Sequence, residues 1–262
     1  MVRRPLGNHQ YGPDTLLVTS DTAQTDLVAR QRAALLRDLV RNARVVLWDF
    51  DGPICSLFAR HSAHRVAAAL RRWLRERGLR ELLAEVAQQS PDPHELLRAV
   101  YCRRPGSDLV AELEERLTRE ELLATAGAMP TAHADPLIRT WTAVGSRLAV
   151  TSNNSARAVR AYLANRGLLD CFAPHIYGRT QDLGLLKPDP YCLNRALTAM
   201  GAAPATALMI GDAVTDFAAA SLAGVSFIGY AADQERLKAL EEAGAQVVVD
   251  SLDTLLRAVR ET

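Results

Sequence analysis

The sequence predicts an α/β protein, a parallel sheet with helices on both faces, interrupted by an inserted all-helical domain. Three observations carry this. From residue 134 to 262, short apolar strand patterns alternate with amphipathic helical patterns, the signature of βαβ units and a parallel sheet. One more buried strand pattern, Arg44–Asp49, stands well before them. Between the two, residues 57–133 read as helix after helix with no strand. Right-handed crossovers place helices on both faces of such a sheet. The division that follows is an N-terminal arm and helix at 1–43, a core at 44–56 and 134–262, and a helical insertion at 57–133.

A chain of 262 residues is long enough for one such core with one smaller insert. Hydrophobic residues at 48% and charged residues at 23% exclude a mainly disordered or fibrous chain. A net charge of +1 gives no global field to grip nucleic acid or an anionic membrane. No apolar run approaches the ~20 residues of a membrane span, and the first residues lack the apolar stretch of a secretory signal. Neither nucleic acid nor membrane is an expected partner. Cys55, Cys102, Cys171 and Cys192 are scattered, as reduced thiols of a cytoplasmic protein would be, and not clustered for disulfides or zinc.

Residues 1–20 mix Gly, Pro, Asn, Thr and Asp without periodicity and read as a loose arm. Residues 22–42 carry Leu27, Val28, Ala34, Leu35, Leu36, Leu39 and Val40 at helical spacing. That amphipathic helix is expected to cover a core face or to make a homodimer contact. RVVLWD is a buried strand stopped by the turn DGP. In the insert, residues 61–78 form a helix closed by Gly78, residues 80–89 a second that stops at SPDP, and residues 94–106 and 108–127 two more. Then strands at 146–152, 175–180, 205–212, 225–230 and 245–250 alternate with helices at 155–167, 190–201, 215–224, 235–244 and 251–261.

In open α/β sheets ligands bind at the carboxyl ends of the strands, and the chemically interesting residues fall there. Asp49 and Asp51 end the first core strand. Side chains two apart in an extended chain point the same way. Two close carboxylates repel unless a cation or a proton sits between them. Gly52 permits the sharp turn. Asp212 and Asp216 close LMIGDAVTD at another strand end, Asp216 in the first helical turn where the dipole favours an acid. Four carboxylates at one sheet edge, with no His or Cys among them, suit Mg²⁺. Thr151-Ser152-Asn153 offers hydroxyls and backbone N–H groups at a helix start, where an anion can bind. Lys187 stands in LLKPDP, framed by Pro188 and Pro190. Lysine occurs only at Lys187 and Lys238, the other 29 of the 31 basic residues being Arg. A lysine kept in such a chain points to a need for its compact charge.

Asp-x-Asp-Gly, Thr-Ser-Asn, Lys-Pro-Asp-Pro and Gly-Asp-x-x-x-Asp, in that order and each after a strand, resemble the four motifs of the haloacid dehalogenase superfamily. The resemblance covers residues 44 to 230 and implies a Rossmann-like core, with the insertion similar to that family's C1-type helical cap. It implies Asp49 as the nucleophile that takes up phosphorus and Asp51 as the general acid and base. Ser152, or the adjacent Thr151, would bind phosphate with Asn153 and Lys187. Asp49, Asp212 and the Asp51 carbonyl would hold Mg²⁺, with Asp216 an orienting acid. The implied reaction is Mg²⁺-dependent hydrolysis of a small phosphorylated metabolite through an aspartyl-phosphate. A sugar phosphate, a phosphoglycolate-like acid or a nucleotide would fit.

Asp51 speaks against dehalogenation and phosphonate cleavage, whose enzymes in this superfamily lack that acid. Two alternatives stay open: a phosphomutase of the same fold, and a catalytically silent binding protein, against which the intact acids count. Two departures bear on substrate: Pro53 stiffens the turn, and Ser56 stands where the family often has an acid. In the insert, Arg60, His61, His64 and Arg65 follow the first motif closely and are the candidates for substrate contact, with a solvated basic helix face as the competing reading.

Overall fold

The computed structural model describes residues 20–83 and 89–261. The arm at the N-terminus and half of the helix expected at 80–89 lie outside the described residues, and Arg80–Leu82 form a single 3-10 turn. In chain order the elements are α1 Ser20–Asn42, β1 Val45–Trp48, β2 Cys55–Ser56, α2 Ala63–Glu76, α3 Pro93–Arg103, α4 Asp108–Thr125, β3 Met129–Pro130, α5 Ala134–Ala143 and β4 Arg147–Thr151. There follow α6 Ala156–Asn165, β5 Ile176–Tyr177, α7 Tyr191–Met200, β6 Ala207–Gly211, α8 Val214–Ala223, β7 Ser226–Tyr230, α9 Gln234–Glu242, β8 Val248–Val249 and α10 Leu252–Arg260.

The sheet runs β5-β4-β1-β6-β7-β8, every pair parallel. β1 lies between β4 and β6, so the strand order reverses there, and such a switch point opens a crevice at the strand ends. A central parallel strand is covered on both faces, and VVLW is apolar and buried throughout. Val46 and Trp48 face one core, with Trp141 edge-on to Trp48 at 5.7 Å between centroids. Val45 and Leu47 face the other, with Met209 and Leu193. α1 buries Leu36 and Val40 in the first core and packs against α10. It thus covers a core face, while Leu27 and Val28 stay exposed.

Helices α2, α3 and α4 gather their own apolar cluster around Leu70, Leu74, Leu96, Leu97, Leu113 and Leu117. Each starts at a cap that the sequence supplies. Ser62, Asp92 and Ser107 accept from the backbone N–H groups of Arg65, His94 and Val110, satisfying donors that the first turn leaves free.

Two elements depart from the sequence reading. β3 pairs antiparallel with β2 inside the stretch read as purely helical, and Thr131 extends the ribbon by donating its N–H to the Ile54 carbonyl. A two-residue strand is too short for alternation to show. α5 is the second, a helix at the start of the stretch the sequence reads from its first strand at 146. His133 at φ 65° starts it, and Asp135-Pro136 reads as a turn although proline fits a first helical turn.

Candidate active site

The carboxyl ends of β1, β4 and β6 meet over a cavity of about 740 Å³. Asp49 follows β1, its N–H held by the Ile210 carbonyl at 2.8 Å. Asp212 follows β6, and Asp216 sits in the first turn of α8. These side chains, with Asp51, Ser152, Asn153 and Lys187, line that one cavity. Of the two adjacent hydroxyl residues, Ser152 lines the cavity and Thr151 is fully buried.

Lys187 is the hub. Its ammonium donates to Asp49 Oδ1 at 2.7 Å and to the Thr151 carbonyl at 3.0 Å, and lies 2.5 Å from Asp216 Oδ1. Asn153 fixes its backbone from both sides, accepting the Lys187 N–H at 2.8 Å and donating to the Lys187 carbonyl at 3.2 Å. Burial alone would lower the ammonium pKa. The carboxylates of Asp216 and Asp49 outweigh it and hold Lys187 above the ordinary lysine value. Burial pushes the Asp216 carboxyl up, but Lys187 and the N–H groups of Asp212 and Ala213 oppose it. Burial and the charge of Asp49 prevail, leaving Asp216 raised to about 6.

Asp51 has the opposite character. Burial raises it, the Leu57 N–H at 2.8 Å offsets part of that, and the charge of Asp49 adds to it, leaving the group at about 6. An acid tuned there can both give and take a proton near neutrality. Gly52, at φ +131°, permits the approach of Asp212: a Cβ there would lie 2.3 Å from the Asp212 carboxyl carbon. The Cys55 thiol is buried and its pKa is pushed up by that burial, which suits an inert packing group.

Asp49, Asp212 and Asp216 each offer an oxygen within 4.8 Å of the others. Lys187 serves two of these acids, and Arg236 at the head of α9 reaches the third, Asp212, from a half-exposed position. Buried carboxylate oxygens converging this closely, Asp49 and Asp212 among them, are hard donors of the kind that fits a Mg²⁺ ion, while Asp216 is taken up by Lys187.

The insert residues divide. Arg60, His64 and Arg65 line an adjoining cavity of about 890 Å³, which shares Asp51 and Arg236 with the first. His61 pairs instead with Glu120 of α4 at 2.7 Å. Two cavity residues escaped the sequence reading. His94 reads there as an ordinary residue of a helix start, with no signal of its own. Arg236 follows the strand end of β7, so the strand-end rule could have found it.

The chemistry available is that of an enzyme acting on an anionic group, with acids and an ammonium disposed over one sheet edge. Residues 43–224 match the family model of the haloacid dehalogenase-like hydrolases. The phosphoglycolate phosphatase of Rhodospirillum rubrum is 30% identical over 226 residues, 81% of this chain and 89% of that protein. A phosphoglycolate phosphatase of Thiobacillus denitrificans is 32% identical over 115 residues, 44% of this chain and 50% of that protein. Among solved structures, CbbY from Rhodobacter sphaeroides in complex with phosphate superposes with a TM-score of 0.62 at 21% identity, over 83% of this chain and 99% of that one. A HAD family hydrolase from Deinococcus radiodurans with bound phosphate and sodium gives 0.55 at 27% identity, over 84% and 96%. The chain belongs to the haloacid dehalogenase-like hydrolases and is a phosphatase-type enzyme of that family. Among the described residues no helix is long and apolar enough to cross a membrane.

Proposed function

We propose that the enzyme hydrolyses a small phosphomonoester with Mg²⁺, carrying the phosphoryl group on Asp49. The observation that carries the reading is the pairing of Asp49, held at 2.7 Å by the buried Lys187, with Asp51 at about 6 in the same cavity. The Asp49 carboxylate attacks phosphorus while the bond to the leaving oxygen breaks. Asp51 gives that oxygen its proton. Water then attacks phosphorus, Asp51 takes the proton back, and the Asp49–phosphorus bond breaks to release phosphate. Lys187, with the Ser152 hydroxyl and Asn153, steadies the phosphoryl oxygens. Asp49, Asp212 and the Asp51 carbonyl would hold Mg²⁺, with Asp216 orienting Lys187 and the loop. Bound there, the ion offsets the repulsion between two anions.

Asp51 lines both cavities, so the leaving group belongs in the second one. Arg60, Arg65 and Arg236 bring three guanidinium groups to that side, with His64 beside them. A leaving group with its own carboxylate suits it, in line with the phosphoglycolate phosphatases this chain resembles. The helical insert is read as the cap over the site. Four free thiols fit a cytoplasmic location.

The test is phosphate release over a panel of small phosphomonoesters that includes 2-phosphoglycolate, with Mg²⁺ and with EDTA. Release from a small acidic ester, abolished by EDTA, is expected. An isomerised sugar phosphate without released phosphate would turn the reading to a mutase, and no reaction with any ester would overturn it.

A further inference from the structure

A buried polar network outside the chemistry lies between the helical insert and the core. Glu121 of α4 is fully buried. Its Oε1 accepts from Asn154 Nδ2 at 3.1 Å and Arg179 Nη1 at 2.9 Å. Its Oε2 accepts from the Ser155 N–H at 2.9 Å and Arg179 Nη2 at 3.0 Å. His94 Nε2 lies 3.1 Å from the same carboxylate, and His94 Nδ1 lies 3.2 Å from Asp92. Every carboxylate oxygen is thus used, and three of the partners belong to the core.

The network leads to the phosphate loop. Asn154 Oδ1 accepts from the Ser152 hydroxyl at 3.1 Å, and the Asn154 N–H donates back to Ser152 Oγ at 3.2 Å. Arg179 donates to the Asn153 carbonyl at 3.0 Å, and its own N–H to the Asn154 carbonyl at 2.8 Å. One side chain separates a carboxylate on the insert from the hydroxyl at the cavity wall.

The charges are held firmly. Burial would raise Glu121, but Arg179 and His94 bring it down to about 2. Burial would lower His94, but Asp92 and Glu121 bring it up to about 9. Buried charges persist only when paired and hydrogen-bonded in this way.

We propose that Glu121 is a positioning residue: seated from the helical insert, its carboxylate sets Asn154 and Ser155 and through them the Ser152 hydroxyl, so the phosphate loop is complete only while the insert is docked. This rests on the phosphatase reading for its consequence but not for its geometry. A buried ion pair that served only to fasten two parts of the fold would be the rival explanation. The two differ in what an apolar replacement does. Exchanging both partners of a buried pair for apolar groups of similar size often leaves stability intact, but it removes the acceptor for Asn154 and Ser155.

The variants are Glu121→Leu/Arg179→Met, and Asn154→Ala, which leaves the ion pair in place. Each is measured for melting temperature, kcat and KM on the best ester, affinity for inorganic phosphate with Mg²⁺, and exchange of the Ser155 amide. Both are expected to stay folded at the assay temperature, the double variant melting lower because it strands His94 and Glu114, to lose at least tenfold in kcat/KM, and to bind inorganic phosphate at least tenfold more weakly. Ser155 exchange should rise in the double variant. If the double variant does not fold, Asn154→Ala decides alone. Wild-type turnover and phosphate affinity in a folded variant would overturn the proposal. If the wild type hydrolyses no ester, the phosphatase reading fails, and phosphate affinity and Ser155 exchange still decide this inference.

Discussion

Replacing Lys187 with arginine separates a charge from a shape. The side chain is 2% exposed. Its single nitrogen serves three oxygens: Asp49 at 2.7 Å, Asp216 at 2.5 Å and the Thr151 carbonyl at 3.0 Å. A guanidinium keeps the charge but spreads it over a planar fork that does not fit where one ammonium sat among three acceptors. Losing one well-placed charge-assisted hydrogen bond to the nucleophile costs roughly 1.5–3 kcal/mol, or about a ten- to hundredfold fall in turnover. Lys187→Met should cost more, because it leaves a buried carboxylate pair uncompensated, about 3–5 kcal/mol of stability. The control is Lys238→Arg. Lys238 is 76% exposed and pairs with Glu242 at 3.7 Å, one turn along its own helix. In a chain whose other basic residues are all arginine, a lysine of no special use would tolerate the exchange. The assay is steady-state phosphate release with melting curves for all three variants. Wild-type rates for both arginine variants would refute the reasoning and remove Lys187 from the chemistry.

Asp49→Asn should abolish turnover and leave the fold intact, judged by phosphate release and circular dichroism. Gly52→Ala should lower both activity and stability, the latter by about 1–3 kcal/mol, since a Cβ meets the Asp212 carboxylate at φ +131°; an unaltered melting temperature would contradict the packing described. Asp212→Ala should raise the Mg²⁺ concentration needed for half-maximal activity, read from a metal titration. His94, raised to about 9 in the fold, contributes stability that is complete below its unfolded value near 6.5 and is lost as pH rises through about 9. The difference in melting temperature between wild type and His94→Gln should therefore shrink from pH 6 to pH 10, and a constant difference would count against the charged His94–Glu121 contact.

What was legible in the sequence was whatever has a local cause. Apolar runs such as VVLW and ALMIG announce buried parallel strands, and the strand-end rule led from them to Asp49, Asp212 and the Ser152 loop. The caps at Ser62, Asp92 and Ser107 have local causes too, although the sequence reading names none of them. Glu121 and Arg179 were not legible, because their partners lie 58 positions apart and neither carries a motif; among charged residues on a helix, Glu121 looks like Glu120 beside it. Yet Glu121 is buried against the core while Glu120 pairs with His61. That difference arises only when the insert docks. His61 itself shows the same limit: its place just after the first motif suggests the cleft, yet it stands ahead of α2, before the cap Ser62, and pairs with Glu120 of α4. The β2–β3 ribbon was too short to leave a pattern.

The covalent step on Asp49 is the central claim, and trapping it is its most direct measurement. Wild-type enzyme mixed with an excess of its ester and Mg²⁺, quenched in acid within one turnover and digested, should yield the peptide containing Asp49 with the added mass of one phosphoryl group. The same peptide from Asp49→Asn, or from wild type in EDTA, should carry none. Turnover by the wild type with no label on that peptide, or a label on another residue, would contradict the account.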